Sequence, residues 1–314
     1  MSEIRVGSRG SALALCQTRM VVEDIRRLNP GVECRIDVIK TTGDRILDVP
    51  LAKIGDKGLF VKEIEAALLA GEIDLAVHSA KDLPSEMDER LCIAAFPERV
   101  CPADALVSKH GKLMELPAGA VIGTSSLRRR AQILAVRPDV EIADVRGNLD
   151  TRLRKLDDGH YDAIILACAG LVRMGLESQI TEALDYEICL PAAGQGSLAI
   201  QCRTGDAACD IVGKLDSPET RSCVTAERAL LARLGGGCQV PIAALARCEG
   251  DRLVMDALVA GLDGASIVRK NGTGDPSRPR ELGERLAEEL LDSPAKELLE
   301  MARTTPEPRD RGTA

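Results

Sequence analysis

The chain has 314 residues, enough for two or three domains, and 45% of them are apolar. Aromatic residues make up only 1%, and the formal net charge is −8. Both values argue against a nucleic-acid binder, which needs a basic surface and, for single strands, aromatic side chains on which bases stack. No apolar run reaches the roughly 18 residues of a membrane span, so we expect no membrane segment.

The eleven cysteines and three histidines bear on the cellular compartment and on metals. The cysteine number is odd and no Cys-x-x-Cys pair occurs, which excludes zinc ribbons and thioredoxin-type motifs. Scattered thiols are typical of a reducing compartment, and residues 1–16 lack the apolar core of an export signal. We therefore expect a cytoplasmic protein without a metal site built from its own side chains.

The first part of the chain alternates strands and helices. The predicted elements are a strand at 4–6, a helix capped by Ser11 and ending near 29–31, a strand at 34–40, a helix at 60–69 and a strand at 74–78. A long polar loop at 41–58 is a candidate lid. This alternation predicts a parallel sheet that binds ligands at the carboxyl ends of its strands.

The alternation restarts after a candidate crossing at Cys101-Pro102 and ends at a second crossing at Gln195-Gly196. Between them we predict strands at 120–123, 141–145 and 162–167 and helices at 127–136 and 149–156; a strand at 197–201 returns to the first unit. From residue 219 a helix, three alternating strands (242–247, 253–260, 266–270) and two helices predict an α+β unit. The expected domains are residues 1–98 with 196–216 and 101–193, both doubly wound α/β, and a C-terminal α+β domain at 219–314.

Arginines lie at four of the predicted strand-to-helix turns. The segment Gly123-Thr-Ser-Ser-Leu-Arg-Arg-Arg130 opens a helix, whose free N–H groups and positive dipole end favour an anion. A solvated charged surface explains any single arginine, whereas clustering at equivalent strand ends favours a ligand with several carboxylates or phosphates. Neither a P-loop nor a Gly-x-Gly-x-x-Gly turn is present. The other arginines at these turns are Arg9, Arg146, Arg152 and Arg173.

Two further side chains are candidates for chemistry. Asp82 follows a buried strand at the same cleft, so it is placed to exchange protons or stabilise a cation; a helix cap or an ion pair with Lys81 explains it equally well. Cys238 lies after three glycines and before Pro241, which leaves room for a bulky ligand to approach the thiol. Free cysteines are often simply buried, so the local sequence leaves both readings open.

Most of these residues lie in eight motifs that, in this order, resemble the porphobilinogen deaminase (hydroxymethylbilane synthase) family over nearly the whole chain. The motifs are Val6-Gly-Ser-Arg9 with Leu13-Ala-Leu15, Thr42-Gly-Asp44, Lys57-Gly-Leu-Phe60 with Lys62-Glu63, His78-Ser-Ala-Lys-Asp-Leu-Pro84, Gly123-Thr-Ser-Ser-Leu-Arg-Arg129, Arg146-Gly-Asn148, Pro191 with Gly194-Gln-Gly196, and Gly236-Gly-Cys-Gln-Val-Pro241. The resemblance implies two α/β domains similar to type II periplasmic binding proteins, hinged around a cleft, and a third domain with the cysteine. It also implies a transferase of tetrapyrrole (haem-type) biosynthesis that joins four porphobilinogen molecules head to tail, releases ammonia at each step and yields hydroxymethylbilane.

The resemblance further implies a role for each matching residue. Cys238 would hold one dipyrromethane cofactor per chain through a thioether, built from two substrate units and kept as the primer. Asp82 would be the catalytic carboxylate, and no metal is implied. The other cofactor-binding residues implied are Lys81, Ser79, Thr124, Ser126, Arg128, Arg129 and Arg146. The substrate-binding residues implied are Arg9, Ser11, Phe60, Ser125, Arg146, Arg152, Arg173 and Gln195.

Physical chemistry agrees with this interpretation. Porphobilinogen has two carboxylates, so an acidic protein can hold a growing chain of its units only with a local cluster of arginines. Loss of ammonia leaves an azafulvene-like cation, which a fixed carboxylate such as Asp82 would stabilise where the charge develops. Attachment of the primer requires an accessible thiolate at Cys238.

Two other functions would use some of the same residues. A cytosolic anion-binding or sensor module would need the cleft and its arginines, but neither Cys238 nor Asp82. A nucleic-acid binder would use Arg128 to Arg130, against which the acidic charge and the low aromatic content argue. We expect a monomer that acts on the small molecule porphobilinogen and binds no nucleic acid.

Overall fold

The computed structural model describes residues 3–41, 61–236 and 240–304. The strands in these ranges are β1 (Glu3–Arg9), β2 (Glu33–Ile39), β3 (Leu75–Ser79), β4 (Leu91–Ala95), β5 (Asp104–Ser108), β6 (Val121–Gly123), β7 (Glu141–Ala143), β8 (Ala163–Ala167), β9 (Glu182–Ala183), β10 (Leu198–Arg203), β11 (Ile242–Glu249), β12 (Arg252–Ala260) and β13 (Ile267–Gly274). The helices are α1 (Ala12–Leu28), α2 (Lys62–Leu69), α3 (Leu127–Val136), α4 (Leu149–Asp157), α5 (Cys168–Arg173), α6 (Ala207–Gly213), α7 (Pro218–Arg233), α8 (Pro279–Leu291) and α9 (Ala295–Thr304). None of the helices in the described part of the chain has the length and apolar character needed to span a membrane.

The first unit is a five-stranded sheet in the order β2-β1-β3-β10-β4. Apolar side chains from the strands, such as Val6 and Leu75, pack against Val21 and Ile25 on the buried face of α1. Burial of this stripe removes apolar surface from water, and Ser11 caps the helix by accepting a hydrogen bond from the N–H of Ala14. The end of β1 is thereby fixed next to the first turn of α1.

The second unit repeats this plan with a five-stranded sheet in the order β7-β6-β8-β5-β9. Its core contains Leu106, Ile122 and Ile165 from the strands and Ile133 from α3. The third unit is an antiparallel sheet, β11-β12-β13, with α7, α8 and α9 packed on it around Leu230 and other aliphatic side chains. The predicted fold class, two α/β units followed by an α+β unit, is confirmed.

The prediction of purely parallel sheets is wrong for the strands that follow the two crossings. In the first sheet β10 runs antiparallel to β3 and β4, and in the second β5 runs antiparallel to β8 and β9. Leu198 at the start of β10 pairs with Ser79 at the end of β3, and Asp104 at the start of β5 pairs with Ala167 at the end of β8. The crossing segments therefore lie where the parallel strands end, so a strand that enters there must run in the opposite direction.

The predicted bounds agree with most strands and helices to within a few residues. Two strands next to the crossings, β4 and β5, were not predicted, and β13 continues to Gly274 beyond the expected end at residue 270. The prediction of a lid at residues 41–58 lies outside the described residues, apart from Thr41.

Glu227 of α7 connects the third unit to both crossing segments. Its carboxylate pairs with Arg99, with 2.6 Å between Arg99 Nη1 and Glu227 Oε1, and accepts hydrogen bonds from the N–H groups of Gly194 and Ala246. Arg99 Nε also donates to the carbonyl of Gln195 at 2.9 Å. A buried carboxylate is stable only with such partners, so this network fixes where the two crossings pass each other.

The second crossing passes so close to the first crossing and to the turn after β3 that it needs a glycine at each contact. Gly194 and Gly196 have φ values of 75° and 87°. A Cβ at Gly196 would lie 2.3 Å from the carbonyl oxygen of Val100, and one at Gly194 would lie 3.1 Å from the carbonyl carbon of Ala80. The second crossing therefore lies directly against the turn that contains Asp82.

Candidate active site

Asp82 lies in a 3₁₀ turn, Ala80–Asp82, that begins where β3 ends. The turn is held from both sides, because the N–H of Ala80 donates to the carbonyl of Ser197 at 2.9 Å and the side chain of Leu83 is buried. Asp82 itself is exposed. Its negative charge favours the protonated forms of Lys81 and Arg152, so the carboxylate faces a group of cations.

Lys81 has an unusually low pKa for a lysine, about 8. Desolvation is the main cause, and the positive charge of Arg129 adds to it, while Asp82 and Asp104 only partly compensate. Its Nζ donates to Oε1 of Gln195 at 3.3 Å. The ammonium group is thus placed where a further anion would stabilise it.

Arg152 also has a lowered pKa that neighbouring carboxylates do not fully restore. Its pKa is lowered to about 10, first by burial and then by the positive charges of Arg129 and Arg146. Arg152 Nε donates to the carbonyl of Gly147 at 2.9 Å, whereas no residue in the described ranges accepts a hydrogen bond from the side chain of Arg146. Asp82 is the carboxylate that acts on Arg152, so this part of the cleft holds more positive than negative charge.

Arg173 and Arg9 extend the cationic lining. Arg173 Nη2 donates to the carbonyl of Gly196 at 2.7 Å, its buried Nε has no partner among the described residues, and burial lowers its pKa to about 10. Arg9 ends β1, and its charge contributes, after burial, to lowering the pKa of His78 to about 4. His78 is therefore neutral and bonded to Gln201, which is a structural and not a catalytic arrangement.

Arg128 and Arg129 differ from the other arginines because both are buried and paired with one carboxylate. Arg128 Nη1 lies 2.6 Å from Oδ2 of Asp104, and Arg129 Nη2 lies 2.6 Å from Oδ1. Each also donates to a carbonyl, Arg128 to Leu190 and Arg129 to Ile165. The two cations hold the pKa of Asp104 far below its usual range although burial alone would raise it. Arg128 makes all these contacts through Nη1, and Arg129 makes its own through Nε, Nη1 and Nη2, so about half of the N–H donors of the pair are used inside the protein.

Gln195 connects the Lys81 side of the cleft with this buried cluster. Its Oε1 accepts from Lys81, and its Nε2 donates to Asp104 Oδ1 at 2.9 Å and to the carbonyl of Pro102 at 2.7 Å. The side chain is buried, with 1% of its surface exposed. Gln195 therefore links the first unit to the second through one amide group.

The hydroxyl groups before α3 shape the turn that presents these arginines. Ser126 caps the helix by accepting from the N–H of Arg129, and Thr124 Oγ1 accepts from the N–H of Ser126 at 3.2 Å. Ser125 Oγ donates to the carbonyl of Val145 at 2.9 Å, which ties the turn to the next strand end. These contacts satisfy helix-end N–H groups and leave the turn with one defined shape.

Two serines on the opposite side are also used by the protein. Ser11 caps α1, and Gln17 Nε2 of the same helix donates to Ser79 Oγ at 3.2 Å. The sequence did not reveal this contact of Gln17, because its position on the α1 face looks like ordinary core spacing. Two predicted site residues, Cys238 and Phe60, lie outside the described residues.

The residues that flank the Cys238 segment are nevertheless well anchored. Leu234 and Gly235 follow α7, and Arg303 Nη2 donates to both of their carbonyls at 2.6 and 3.2 Å. Ile242 begins β11 on the other side. Only five residues separate Gly236 from Ile242, so a group attached to this segment has a short tether.

The donor set of the cleft fits a dipyrromethane that carries several carboxylates. Lys81 and Arg152 have lowered pKa values that a bound anion would restore, and the buried Nε atoms of Arg130 and Arg173 have no partner in the described part of the chain. Unpaired buried N–H groups are rare, because each one loses its hydrogen bond to water. A bound carboxylate would supply the acceptor that the Nε of Arg173 lacks among the described residues, next to the second crossing that Arg173 Nη2 contacts.

Asp104 is the main functional residue that the sequence did not reveal. Its only signal is a lone carboxylate at the start of an apolar strand, Asp104–Ser108, just after the first crossing. A charged residue fully buried at such a position needs a partner of opposite charge. The sequence could have indicated that a cation lies nearby, but not which one.

Comparisons with known proteins agree with the geometry. The family model described as "Porphobilinogen deaminase, dipyromethane cofactor binding domain" matches residues 4–210, and the model of the "Porphobilinogen deaminase, C-terminal domain" matches residues 221–292. The porphobilinogen deaminases of Pelotomaculum thermopropionicum and Desulforudis audaxviator are each 53% identical over 303 residues, covering 96% of this chain and 97% and 98% of theirs. That of Roseiflexus castenholzii is 51% identical over 300 residues, covering 95% of this chain and 99% of its own.

Among solved structures, the chain is similar to a TRAP periplasmic solute binding protein from Desulfovibrio salexigens. The TM-score is 0.40 and the identity 10%, over 68% of this chain and 72% of that one, a likeness too distant to bear on function. The sequence relatives and the two family models together cover nearly the whole chain. This protein therefore belongs to the porphobilinogen deaminase family, the transferases that polymerise porphobilinogen into a linear tetrapyrrole on a dipyrromethane cofactor.

Proposed function

We propose that Cys238 and Asp82 carry the family's reaction in this chain: Cys238 anchors the primer and Asp82 acts at the bond that forms. The reaction condenses four porphobilinogen molecules head to tail with release of ammonia and yields hydroxymethylbilane. The observation that carries the proposal is the excess of cations around the exposed Asp82. Support comes from the lowered pKa values of Lys81 and Arg152, which burial causes first and neighbouring cations second, with Asp82 only partly compensating for both.

The cofactor, when attached, supplies a pyrrole end to which the first substrate unit is added. We assign its carboxylates to Lys81 and Arg146, assisted by the turn hydroxyls Ser79, Thr124 and Ser126. Arg128 and Arg129 would contribute through N–H groups beyond those that Asp104 accepts. Charge-assisted hydrogen bonds from arginine to carboxylate are strong and directional, so they would fix the cofactor in one orientation.

The substrate-binding role falls to the cations with the fewest internal partners. Arg152 and Arg173, together with Arg146, would bind the carboxylates of the incoming porphobilinogen. Arg9, at the end of β1 in the first unit, is assigned to the same ligand by its match to the family. Ser11, Ser125, Gln195 and Phe60 are assigned as further contacts by the match to the family motifs alone. Gln195 would act chiefly through Lys81 and Asp104, because its side chain is buried between them.

Asp82 would serve as the acid, base and cation-stabilising group. Its side chain is exposed, and its charge favours the protonated forms of Lys81 and Arg152. A fixed negative charge stabilises the cation left on the substrate when ammonia departs, and it then accepts a proton from the newly substituted pyrrole. Charge develops at one position, so a single well-oriented carboxylate is sufficient.

We further propose that the chain divides into domains at 1–98 with 196–216, 101–193 and 219–314, and that it works as a cytoplasmic monomer without nucleic acid. The two crossing segments near Arg99 and Gln195 would form the hinge between the first two domains. The support for this division is that β10 belongs to the first sheet although it follows the second unit in sequence. The acidic net charge argues against nucleic acid.

Intact-mass spectrometry tests the anchor. The purified protein should exceed the mass of its sequence by one dipyrromethane, and Cys238→Ala should lose both the added mass and the turnover of porphobilinogen. Cys101→Ala is the matched control, because Cys101 is an exposed thiol and should keep the added mass. A fully active protein without added mass would overturn the assignment.

Turnover measurements test Asp82. Asp82→Asn should retain the added mass but lose about 100-fold or more in kcat, because the neutral amide can neither stabilise the cation nor accept the proton. Asp88→Asn removes an exposed carboxylate a few residues away that pairs with Arg90, and it should turn over normally. Equal rates in the two variants would remove Asp82 from its role.

A further inference from the structure

An arginine of the third unit donates hydrogen bonds to the backbone that follows the turn carrying Asp82. Arg228 of α7 donates from Nη2 to the carbonyl of Pro84 at 2.6 Å and from Nη1 to the carbonyl of Leu83 at 3.3 Å. These two carbonyls follow the 3₁₀ turn Ala80–Asp82, where carbonyl groups at a helix end lack partners within the turn. The guanidinium group thus supplies what the backbone of the turn cannot.

The same face of α7 also packs against the turn. Val224 precedes Arg228 by four residues, one helical turn, and belongs to an apolar cluster with Ala80 and Leu83. The side chains on both sides of Asp82 are therefore fixed by one helix. Five residues after α7 ends, the same chain reaches Cys238.

The electrostatics of Arg228 are unusual for a residue that only joins two units. Burial lowers its pKa, and no carboxylate of the described residues contributes to compensate. Burying a cation without a carboxylate partner costs free energy. An apolar side chain would pack the helix against the first unit without that desolvation cost. What an arginine adds is a forked guanidinium group, which can donate hydrogen bonds to two successive carbonyls at once.

We propose that Arg228 is a positioning residue that fixes the catalytic turn of Asp82 relative to the helix that leads to the primer-bearing cysteine. Displacing a catalytic group by about 1 Å can lower a rate about 100-fold, so the register between these two elements governs turnover. The inference rests on the proposed role of Asp82 and adds to it a residue of the third unit that acts through the turn and touches neither substrate nor cofactor.

The test compares Arg228→Met with Arg221→Met, which supplies a matched control on the same helix. Arg221 also joins α7 to the first unit, donating to the carbonyl of Ala94 at 2.9 Å and pairing with Asp216, but it contacts β4 and not the Asp82 turn. We expect Arg228→Met to keep its dipyrromethane mass and its KM within about twofold and to lose about 10- to 100-fold in kcat. Arg221→Met should shift the melting temperature by a similar amount and keep kcat within about twofold of the parent.

A double-mutant cycle separates positioning from a general structural effect. If Arg228 acts through Asp82, then Arg228→Met should cost no further activity in a chain that already carries Asp82→Asn. Independent losses that multiply would overturn the proposal. Full activity of Asp82→Asn alone would instead overturn the proposed function, so the two failures are distinguishable.

Arg228→Lys keeps the test decisive if the methionine variant does not fold. A lysine retains the charge but reaches only one of the two carbonyls in a fixed direction, so we expect a kcat between those of the parent and Arg228→Met. Added guanidinium ion at low millimolar concentration should partly restore turnover in Arg228→Ala and leave Arg221→Ala unchanged. A lysine variant with parental kcat, or no restoration by guanidinium in a folded alanine variant, would overturn the proposal.

Discussion

Arg128 and Arg129 share the buried carboxylate of Asp104, whereas Lys81 and Arg152 form no ion pair of this kind among the described residues and have the exposed Asp82 as their common carboxylate neighbour. In the first group each cation has an ionic partner within 2.6 Å and a backbone carbonyl as well. In the second group burial and neighbouring cations lower both pKa values. All four side chains match residues of the same family, yet only one pair shares a buried carboxylate.

The difference shows how a cleft can be both stable and ready for an anion. A buried charge without a partner destabilises the fold, so a cluster of cations is tolerated only if part of it is neutralised internally. Asp104 neutralises the pair that packs in the core, while Lys81 and Arg152 keep positive charge that would be available to the carboxylates of the proposed cofactor and substrate. The first group should therefore affect mainly stability and the second mainly binding.

Replacing Asp104 should give the largest effect on stability. Asp104→Asn leaves two buried guanidinium groups without their carboxylate, so we expect the free energy of unfolding to fall by about 3–5 kcal/mol. The pKa of Asp104 is lowered on folding, so its contribution is present above the unfolded pKa of about 4 and is lost only as the pH falls through the still lower folded value. Urea unfolding at pH 7 and pH 5 should therefore give the same difference from the parent protein.

Asp139→Asn is the control for this prediction. Asp139 pairs with Arg137 at 2.7 Å, but its side chain is 42% exposed, and Arg137 keeps its hydrogen bonds to the carbonyls of Leu113 and Leu116. An ion pair open to water contributes about 1 kcal/mol or less, so this variant should be only slightly destabilised. Equal losses in both variants would mean that the buried cluster has no special role.

The two groups of arginines can be compared directly with one substitution in each. Arg152→Met should raise KM for porphobilinogen about 10- to 100-fold, because a hydrogen bond between charged groups contributes about 1.5–3 kcal/mol. Its free energy of unfolding should stay the same or increase, since the variant buries one cation less. Arg128→Met should instead be destabilised by about 2–3 kcal/mol with a smaller change in KM. If Arg128→Met were as stable as the parent and bound substrate as poorly as Arg152→Met, the division into two groups would be wrong.

The sequence predicted the turns that carry the arginines of both groups, but it did not reveal which of those arginines are neutralised. Helical spacing and caps such as Ser11 and Ser126 depend on neighbouring residues, so the turns that carry the arginines could be placed before the fold was known. The neutralisation of Arg128 and Arg129 depends on Asp104, a residue 24 and 25 positions away. It lies near them only because β5 pairs with β8 in the sheet, and that pairing was not predicted.

The same limit applies to the contacts of the third unit. In the sequence, Arg228 is one of several charged residues on a predicted helix, with nothing to distinguish it from the others. In the structure, its hydrogen bonds go to carbonyls 144 and 145 positions away. Carbonyl partners leave no trace in residue identity, so no pattern in the sequence indicates them. The prediction of the strand directions was wrong for a related reason. The alternation of strands and helices does not reveal at which edge the chain re-enters a sheet.

The pH dependence of binding gives the smallest of the expected effects and tests the outer group alone. In Cys238→Ala protein, which cannot attach a primer, we expect the Kd for porphobilinogen to rise three- to tenfold, on the order of one pKa unit in free energy, between pH 7 and pH 9. Lys81 has a pKa of about 8 in the free protein, so its ammonium group is mostly lost over this interval and a carboxylate ligand loses a partner. Calorimetric titration at pH 8.5 in two buffers of different ionisation enthalpy should also show net uptake of protons on binding.

As the pH rises, the stability of the free protein should increase while its affinity for porphobilinogen decreases. A single titrating lysine must account for both changes. Because folding lowers the pKa of Lys81 from its ordinary 10.5, the fold is penalised while the lysine is charged, and the penalty is relieved as the pH rises from about 8 to 10.5. Lys81→Arg should abolish both slopes, since arginine stays charged throughout, whereas Lys109→Arg, at an exposed lysine bonded to the carbonyl of Asp157, should keep them. A Kd for the Lys81→Arg protein that rises with pH as in the parent would assign the titration to another group and leave Lys81 among the neutralised cations.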